Sequence, residues 1–298
     1  MKRAVSVSLG SPGRDSSGVI PLLGEYVQIE RRGSGGSIET ARQLIRELDG
    51  KVDALGLGGT DIYLQAAGRR YYLRDGVRLA REAGTTPIVC GAGLKDSLER
   101  LAVEELDSLL EWRKQRVLMV AAVDRFGMAE SLVEAGANVR FGDAIYTLNL
   151  PLPIHRLDHL ALLARTLLPV VRQLPIRWLY PTGKRQESTG RRVQQKHFEW
   201  ASVIAGDFHF IRRYAPQDLT GKVILTNTTT SDDMEDLRRR GVRLLVTTTP
   251  RVNGRSLSTN LLEAALVAAV GRHPLSSAEY RELVATAGLR PQVEELNP

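Results

Sequence analysis

Two adjacent charged residues follow the most strand-like run of the sequence and could carry chemistry. The segment VLMVAAVDRFGMAESLVEAGANVRFGD places Asp124 and Arg125 between a predicted strand and a predicted helix. A carboxylate at that point can act as a general base or accept a hydroxyl, and a guanidinium can hold a substrate carboxylate. The position equally suits a residue that only caps the helix. Both interpretations of Asp124, catalytic and capping, stay open.

The same segment has the order of a dinucleotide-binding unit: strand, turn, helix, strand and terminal acid. Laid on the pattern G-x-G-x-x-G, its glycine positions hold Ala122, Asp124 and Gly127, so only the last glycine is kept. A carboxylate in the middle position would repel a pyrophosphate. Asp143 ends the second strand, where a ribose hydroxyl would bind. Gly127 and Asp143 are therefore candidate residues for NAD or NADP, and ordinary helix–strand packing is the alternative that the missing glycines favour.

Glycine-rich turns in the first half of the chain could cradle an anion. The turns are GLGGTD, after a predicted strand, and CGAGLKDS, which opens a predicted helix. Such turns expose backbone N–H groups, and a lysine in the first turn of the helix adds charge. Tight turns without a ligand would use the same glycines. The candidate residues are Gly58, Gly59, Asp61, Gly91, Gly93 and Lys95.

Polar residues also crowd the ends of predicted strands in the second half. The segments NTTTSDD and TTTPRVNGRSLSTN follow successive strands, so their hydroxyls are expected side by side at one sheet edge, where they could bind phosphates or polyols. Threonine is equally common in strands for its β-branching, and Ser231 or Asp232 could simply cap the next helix. In AGDFHFIRRY, Asp207 and His209 form a candidate acid and base pair. The candidate residues are Thr228 and Thr248 for a cofactor, and Lys184, Asn227, Arg251 and Arg255 for a substrate.

Strands alternate with helices along the whole chain. This order predicts an α/β protein of two Rossmann-like three-layer domains with mostly parallel sheets. The charged segment 111–116 suggests the boundary, giving an N-terminal domain of residues 1–113 and a C-terminal domain of residues 114–298. Because ligands bind at the carboxyl ends of parallel strands, we expect a ligand cleft between the carboxyl ends of the two sheets.

Composition narrows the class of protein. The net charge of +7 over 298 residues comes from scattered arginines, mostly beside acids, which disfavours nucleic acid as a partner. A single cysteine, Cys90, and a start without an apolar leader indicate the cytoplasm. The apolar stretch from Leu160 to Val171 is too short to span a membrane and suits the interface of a homo-oligomer. No metal site is predicted. His155 and His159 have an i, i+4 spacing that could hold a metal, but no acidic partner follows as in H-E-x-x-H, and no cluster of cysteine and histidine has zinc-finger spacing.

The motifs VSVSLGSPGRDSS, KVDALGLGGTDIYL, CGAGLKDSLER, VDRFGMAESLVEAG, WLYPTGK and VTTTPRVNGRS together resemble a bacterial family often labelled quinate 5-dehydrogenase. The resemblance covers nearly the whole chain and implies NAD(P)-dependent oxidation of a cyclic polyol acid. The sequence lacks the N-V-T-x-P-x-K segment, the downstream aspartate and the G-A-G-G loop of shikimate and quinate dehydrogenases. Lys95 and Asp124 are the residues that could take the lysine and aspartate roles, but the resemblance itself assigns neither.

Two functional hypotheses follow from these patterns. The first is an enzyme that acts on a small anionic or polyol substrate, with NAD or NADP as its cofactor. The second is a non-catalytic binding or regulatory protein that closes on such a metabolite. Turnover of the bound molecule would distinguish the first hypothesis from the second.

Overall fold

The computed structural model describes residues 1–148, 150–175, 192–252 and 255–298. Within these ranges the chain forms two compact units. The first comprises residues 1–97, 167–175 and 258–289, and the second comprises residues 98–166, 192–257 and 290–298. The division differs from the predicted boundary at residue 113, because a late helical segment returns to the first unit and the last residues return to the second.

The elements are named in chain order. The strands are β1 (Lys2–Ser8), β2 (Ser16–Leu22), β3 (Glu25–Gly33), β4 (Ala54–Gly58), β5 (Tyr63–Ala66), β6 (Arg69–Tyr72), β7 (Ile88–Val89), β8 (Arg116–Met119), β9 (Asn138–Phe141), β10 (Val203–Ala205), β11 (Val223–Thr226), β12 (Leu244–Thr247), β13 (Arg251–Val252), β14 (Arg255–Ser256) and β15 (Gln292–Glu295). The α-helices are α1 (Ile38–Leu48), α2 (Arg74–Ala80), α3 (Ala92–Leu110), α4 (Phe126–Glu134), α5 (Leu157–Val171), α6 (Arg192–Trp200), α7 (Phe208–Tyr214), α8 (Ser231–Arg239), α9 (Thr259–Val270) and α10 (Ser277–Thr286).

The first unit is built on a sheet with the strand order β2-β3-β1-β4-β7, in which only β2 runs antiparallel to its neighbour. Alternate residues of β1 face opposite sides of this sheet. Val5 and Val7 pack in one core with Ile45 of α1. On the other side Ser6 accepts a hydrogen bond from Asn260 of α9. Helices therefore cover both faces, which confirms the predicted three-layer α/β class for this unit.

The second unit is built on a sheet with the order β15-β12-β11-β10-β8-β9, in which β15 alone runs antiparallel. The central strands VILT and LLVT are buried along their whole length, as expected for parallel strands covered on both faces. Their core includes Phe198 of α6, Ile211 of α7 and Leu237 of α8. The predicted class, mixed α/β with mostly parallel sheets, is confirmed here as well.

Local signals located many of the elements. Ser37 caps α1, accepting a hydrogen bond from the Thr40 N–H, as its position before an amphipathic run predicts. Strand β2 and the hairpin β5–β6 were not predicted, since glycine, proline and arginine interrupt their patterns. The segment IRWLY, whose apolar residues predict a strand, lies outside the described residues. In the described part of the chain, no helix combines the length and apolar character needed to cross a bilayer.

Candidate functional site

The carboxyl ends of β8 and β10 mark the topological switch point of the second sheet, where the direction in which the chain adds strands reverses. Strand β8 lies between β9 and β10, so the chain leaves β8 toward one side and later resumes on the other. In doubly wound sheets, ligands bind in the crevice that such a switch point opens. The turn after β8 carries Asp124 and Arg125, and the turn after β10 carries Asp207. The candidate site is built at this edge.

A buried ion network lies at this edge. Arg125 is 3% exposed and forms an ion pair with Glu99, which is 1% exposed. Its Nη2 also lies 3.2 Å from Oδ2 of Asp207. Burial alone would lower the pKa of this guanidinium, but the nearby carboxylates, Glu99 first, raise it above its usual value. Arg125 thus remains charged and engaged within the protein, so the predicted role as a clamp for a substrate carboxylate is not supported.

Asp207 is the partly exposed end of this network. It caps α7, with Oδ1 accepting the His209 N–H at 2.9 Å, and its side chain is 24% exposed. Its Oδ2 also accepts Nδ2 of Asn227 at 3.2 Å. His209 is exposed in the first turn of α7, and the pair lies just after the end of β10. The hydrogen bond from the His209 N–H to Asp207 is a helix cap.

The threonine runs meet as predicted. Strands β11 and β12 are parallel neighbours, with Thr226 opposite Thr247. Asn227 and Thr228 are half-buried at the ends of these strands, whereas Thr248 is 3% exposed. Of the two threonines predicted to contact a cofactor, Thr228 is therefore partly accessible and Thr248 is buried.

Arg251 fastens the loop that follows β12. Its Nη2 donates to Oγ1 of Thr229 at 2.8 Å, and its Nε lies 2.9 Å from Oε1 of Glu294 in β15. The predicted substrate-binding residue thus holds protein groups. Lys184 and the side chain of Arg255 lie outside the described residues. Thr230 caps α8 in a capping box with Asp233, so neither Ser231 nor Asp232 is the cap.

Asp143 has a structural role in place of the predicted contact with a ribose. Its carboxylate is buried and accepts the N–H groups of Ala122 at 3.0 Å and Val123 at 2.9 Å. Burial raises the pKa of Asp143 to about 6, although these N–H groups act in the opposite direction. The turn that would receive a pyrophosphate is therefore already bound to a carboxylate of the chain. Gly127 lies buried in the first turn of α4.

Asp124 does not cap α4. The residue that precedes the helix is Arg125, and it makes no side-chain capping hydrogen bond. Asp124 is half-buried in the short turn Val123–Arg125. The capping interpretation is wrong, and Asp124 stays a candidate for ligand contact at the switch point.

The glycines of the first unit allow helices to approach the backbone closely. A Cβ on Gly58 would lie 2.8 Å from Nδ2 of Asn260, and one on Gly91 would lie 2.8 Å from its backbone N. A Cβ on Gly93 would lie 2.5 Å from the ring of Tyr280. Gly59 has a φ of +77°, which a turn requires. Close packing, and not an external anion, accounts for these positions.

The turn that opens α3 is also bound to a carboxylate of the chain. Glu263, on α9, is buried and accepts the N–H of Gly91. Burial raises the pKa of Glu263 to about 7, against hydrogen bonds from Tyr280 and from the backbone of Gly91 and Leu94. The anion predicted at this helix N-terminus is thus an internal one.

Lys95 and Asp61 are the remaining candidate residues of the first unit. Lys95 is half-buried in the first turn of α3, and the charge of Asp61 adds to the raised pKa of Glu263. Cys90 is buried, and burial raises the pKa of its thiol to about 12, which disfavours a nucleophilic role.

Sequence patterns singled out neither Glu99 nor Glu263. Glu263 is the lone charged residue of the helix TNLLEAALVAAV, and a carboxylate inside an apolar helix is a signal of a buried, partnered acid. Glu99 lies in a helix rich in charges, so no comparable signal marks it.

Comparisons with known proteins give families without an assigned function. Residues 93–296 match the model of a domain of unknown function (DUF8754), and residues 3–90 match that of a second domain of unknown function (DUF8753). No curated protein sequence matches the chain.

Several solved structures are similar in outline at low identity. A periplasmic solute binding protein of an ABC transporter from Actinobacillus succinogenes 130z with bound D-allose has a TM-score of 0.39 and 10% identity, covering 99% of this chain and 98% of its own. A galactofuranose binding protein has a TM-score of 0.36 and 9% identity, with coverages of 97% and 99%. An NAD-dependent malic enzyme from Thermotoga maritima has a TM-score of 0.34 and 13% identity, with coverages of 95% and 72%. At these values the similarities assign neither a ligand nor a reaction.

Proposed function

The chain belongs to the DUF8754 family of unknown function, and we propose that its second unit binds a small, uncharged, hydroxyl-rich metabolite, of the polyol or sugar class, at the carboxyl edge of its sheet. The observation that carries this proposal is the set of half-buried oxygen and amide groups at the topological switch point and at the adjacent end of β11. Its members are Asp124, Asp207, Asn227 and Thr228.

The charge of the network favours a neutral ligand over an anion. Among the described residues, one guanidinium, that of Arg125, lies among three carboxylates, those of Asp124, Glu99 and Asp207. A second anion placed a few ångströms away would be repelled by roughly 4 kcal/mol per charge pair near a protein surface. Carboxylate oxygens instead accept hydroxyl donors in charge-assisted hydrogen bonds. A polyol therefore fits this edge better than a carboxylic acid does.

The arrangement also disfavours a dinucleotide in the usual pose. The N–H groups of Ala122 and Val123, at the turn where a pyrophosphate would bind, donate to Asp143. A dinucleotide would have to displace this buried carboxylate. This supports the hypothesis of a binding protein over that of an NAD(P)-dependent dehydrogenase.

The test is a binding panel on the full chain. Isothermal titration and thermal unfolding would be measured with neutral cyclic polyols and aldoses, with quinate and shikimate, and with NAD and NADP. A neutral ligand at a hundred times its Kd should add about 2.7 kcal/mol of stability and raise the Tm by several degrees.

The variant Asp207→Asn tests the site. Asparagine keeps the helix cap but removes the charge that would accept a hydroxyl, so polyol affinity should fall about tenfold. Glu134→Gln, an exposed carboxylate at the far end of α4, is the matched control and should bind as the parent chain does. Binding of quinate or a dinucleotide but no neutral polyol, or equal binding by the Asp207→Asn chain, would refute the proposal.

A further inference from the structure

The first unit has a polar groove between α1 and the strands β2 and β3. It has a volume of about 560 Å³, within the range of small-molecule sites. Its lining includes Ser16, Ser17, Glu30, Arg32 and Thr40. None of these residues belongs to the switch point of the second unit, so the groove is independent of the proposed polyol site.

Strand register explains why the charged residues share this groove. In the pairing of β1 with β3, Val5 lies opposite Glu30 and Val7 opposite Arg32. Val5 and Val7 face α1 in the core, so Glu30 and Arg32 point to the same side of the sheet. Thr40, in the first turn of α1, closes the groove from the helix.

The two oxygens of the Glu30 carboxylate accept hydrogen bonds from different guanidinium groups. Nε of Arg32 donates to Oε1 of Glu30 at 2.6 Å, and Nη2 of Arg3 donates to Oε2 at 2.9 Å. A second pair, Arg31 Nη1 with Asp15 Oδ1 at 2.7 Å, lies at the end of the groove. On the side of the sheet that carries Glu30, two guanidinium groups thus share one carboxylate, and the formal excess of this group is one positive charge.

The excess positive charge is accessible at Nη1 and Nη2, the outer nitrogens of Arg32. The side chain is 35% exposed, and within the described residues its Nη1 and Nη2 have no hydrogen-bond acceptor. Ser17, opposite Glu30 on the neighbouring strand β2, adds an exposed hydroxyl on the same side of the sheet. A guanidinium fork with neighbouring hydroxyls is a donor set that matches the oxygens of a phosphate group.

We propose that this groove binds the phosphate group of a small phosphorylated metabolite, or inorganic phosphate, through the outer nitrogens of Arg32 and the hydroxyl of Ser17. Glu30 serves as the positioning residue, because it holds Nε of Arg32 and turns the fork outward. The positive end of the α1 dipole adds to the attraction.

Inorganic phosphate is the probe for this proposal. Titration of the full chain with phosphate, against chloride at the same ionic strength, should give saturable binding and shift the amide resonances of Ser17, Gly33 and Thr40. In Arg32→Gln the affinity should fall about tenfold or more, because a charge-assisted bidentate contact is lost. Glu30 keeps its contact with Arg3 in this variant, so the strand pairing should be retained.

Arg78→Gln is the matched control, since this arginine is 69% exposed on α2 and outside the groove. It should bind phosphate as the parent chain does. No binding at phosphate concentrations on the order of 10 mM, which exceeds the Kd of even weak millimolar sites, would overturn the proposal. An equal loss in Arg32→Gln and Arg78→Gln would overturn it too. Asp207→Asn should leave phosphate binding unchanged, so failure here is separable from failure of the polyol site.

Discussion

At the scale of single residues, two buried carboxylates occupy the turns that resemble anion sites. Asp143 accepts two backbone N–H groups after β8, and Glu263 accepts the N–H of Gly91 at the start of α3. Each turn exposes the backbone donors that a phosphate would need, and each is satisfied by the chain itself. At both places the turn before the helix therefore binds a carboxylate of the chain itself.

Glu263 should make stability depend on pH. Its pKa is about 7 in the folded protein against 4.5 as its ordinary value, so the folded state holds a proton that the unfolded chain has already lost. The contribution is fully present below pH 4.5 and is lost as pH rises to about 7, a change on the order of 3 kcal/mol. In Glu263→Gln the free energy of unfolding should therefore fall less over this range, as measured by urea denaturation at several pH values.

The control for this measurement is Glu104→Gln, an exposed carboxylate on α3. It should reproduce the pH profile of the parent chain. A slope that persists in full in Glu263→Gln would contradict the assignment to Glu263, although a smaller part between about pH 4 and 6 is expected from Asp143, whose pKa is raised to about 6.

At the scale of elements, α9 is the helix whose packing the sequence pattern hides. It is buried along most of its length and lies against β1, β3 and β4. The helix can approach the sheet closely because glycines, which have no Cβ, lie against its first turn. A Cβ on Gly56 would lie 2.6 Å from the carbonyl oxygen of Asn260, a distance that real Cβ atoms do not show.

Gly56→Ala should therefore push α9 from the sheet. The expected loss is about 2 to 3 kcal/mol, the usual cost of overpacking a core where backbone must move. Gly13→Ala serves as the control, because its nearest heavy atom outside the adjacent residues is 3.5 Å from the added Cβ. Chemical denaturation of both variants measures the difference, and a Gly56→Ala chain as stable as Gly13→Ala would show that the helix is free to shift.

At the scale of the whole molecule, neither unit is a continuous stretch of chain. The first unit is completed by residues 258–289, and the second by residues 290–298, whose β15 pairs with β12. Leu296 of this tail is buried in the second core. The chain therefore has to be nearly complete before either unit has all of its layers.

A fragment of residues 1–113 should fail to fold cooperatively. It has the first sheet and α1 but lacks α9, so the sheet face that carries Ser6 is left uncovered. Circular dichroism and thermal melting of the fragment, alone and joined to residues 258–289 by a flexible linker, measure this. The joined form should regain a cooperative transition, and a cooperative transition of the fragment alone would support the boundary at 113 instead.

The sequence by itself determined the α/β class, the alternation of strands with helices and local signals such as the Ser37 cap, because these depend on periodicity and on side chains a few residues apart. It also placed Asp124 and Asn227 at the carboxyl edge of the second sheet, since polar residues after buried parallel strands lie at one sheet edge. These inferences need only near neighbours in the chain.

The tertiary structure decided what fills each turn. Glu263 meets Gly91 across 172 positions, and Asn260 meets Ser6 across 254. Whether a glycine-rich turn binds a metabolite or an internal carboxylate depends on which distant helix packs over it, and no local pattern encodes that contact. The same is true of Arg125. It is a predicted contact for a substrate carboxylate, but in the structure it is buried and forms ion pairs with Glu99 and Asp207.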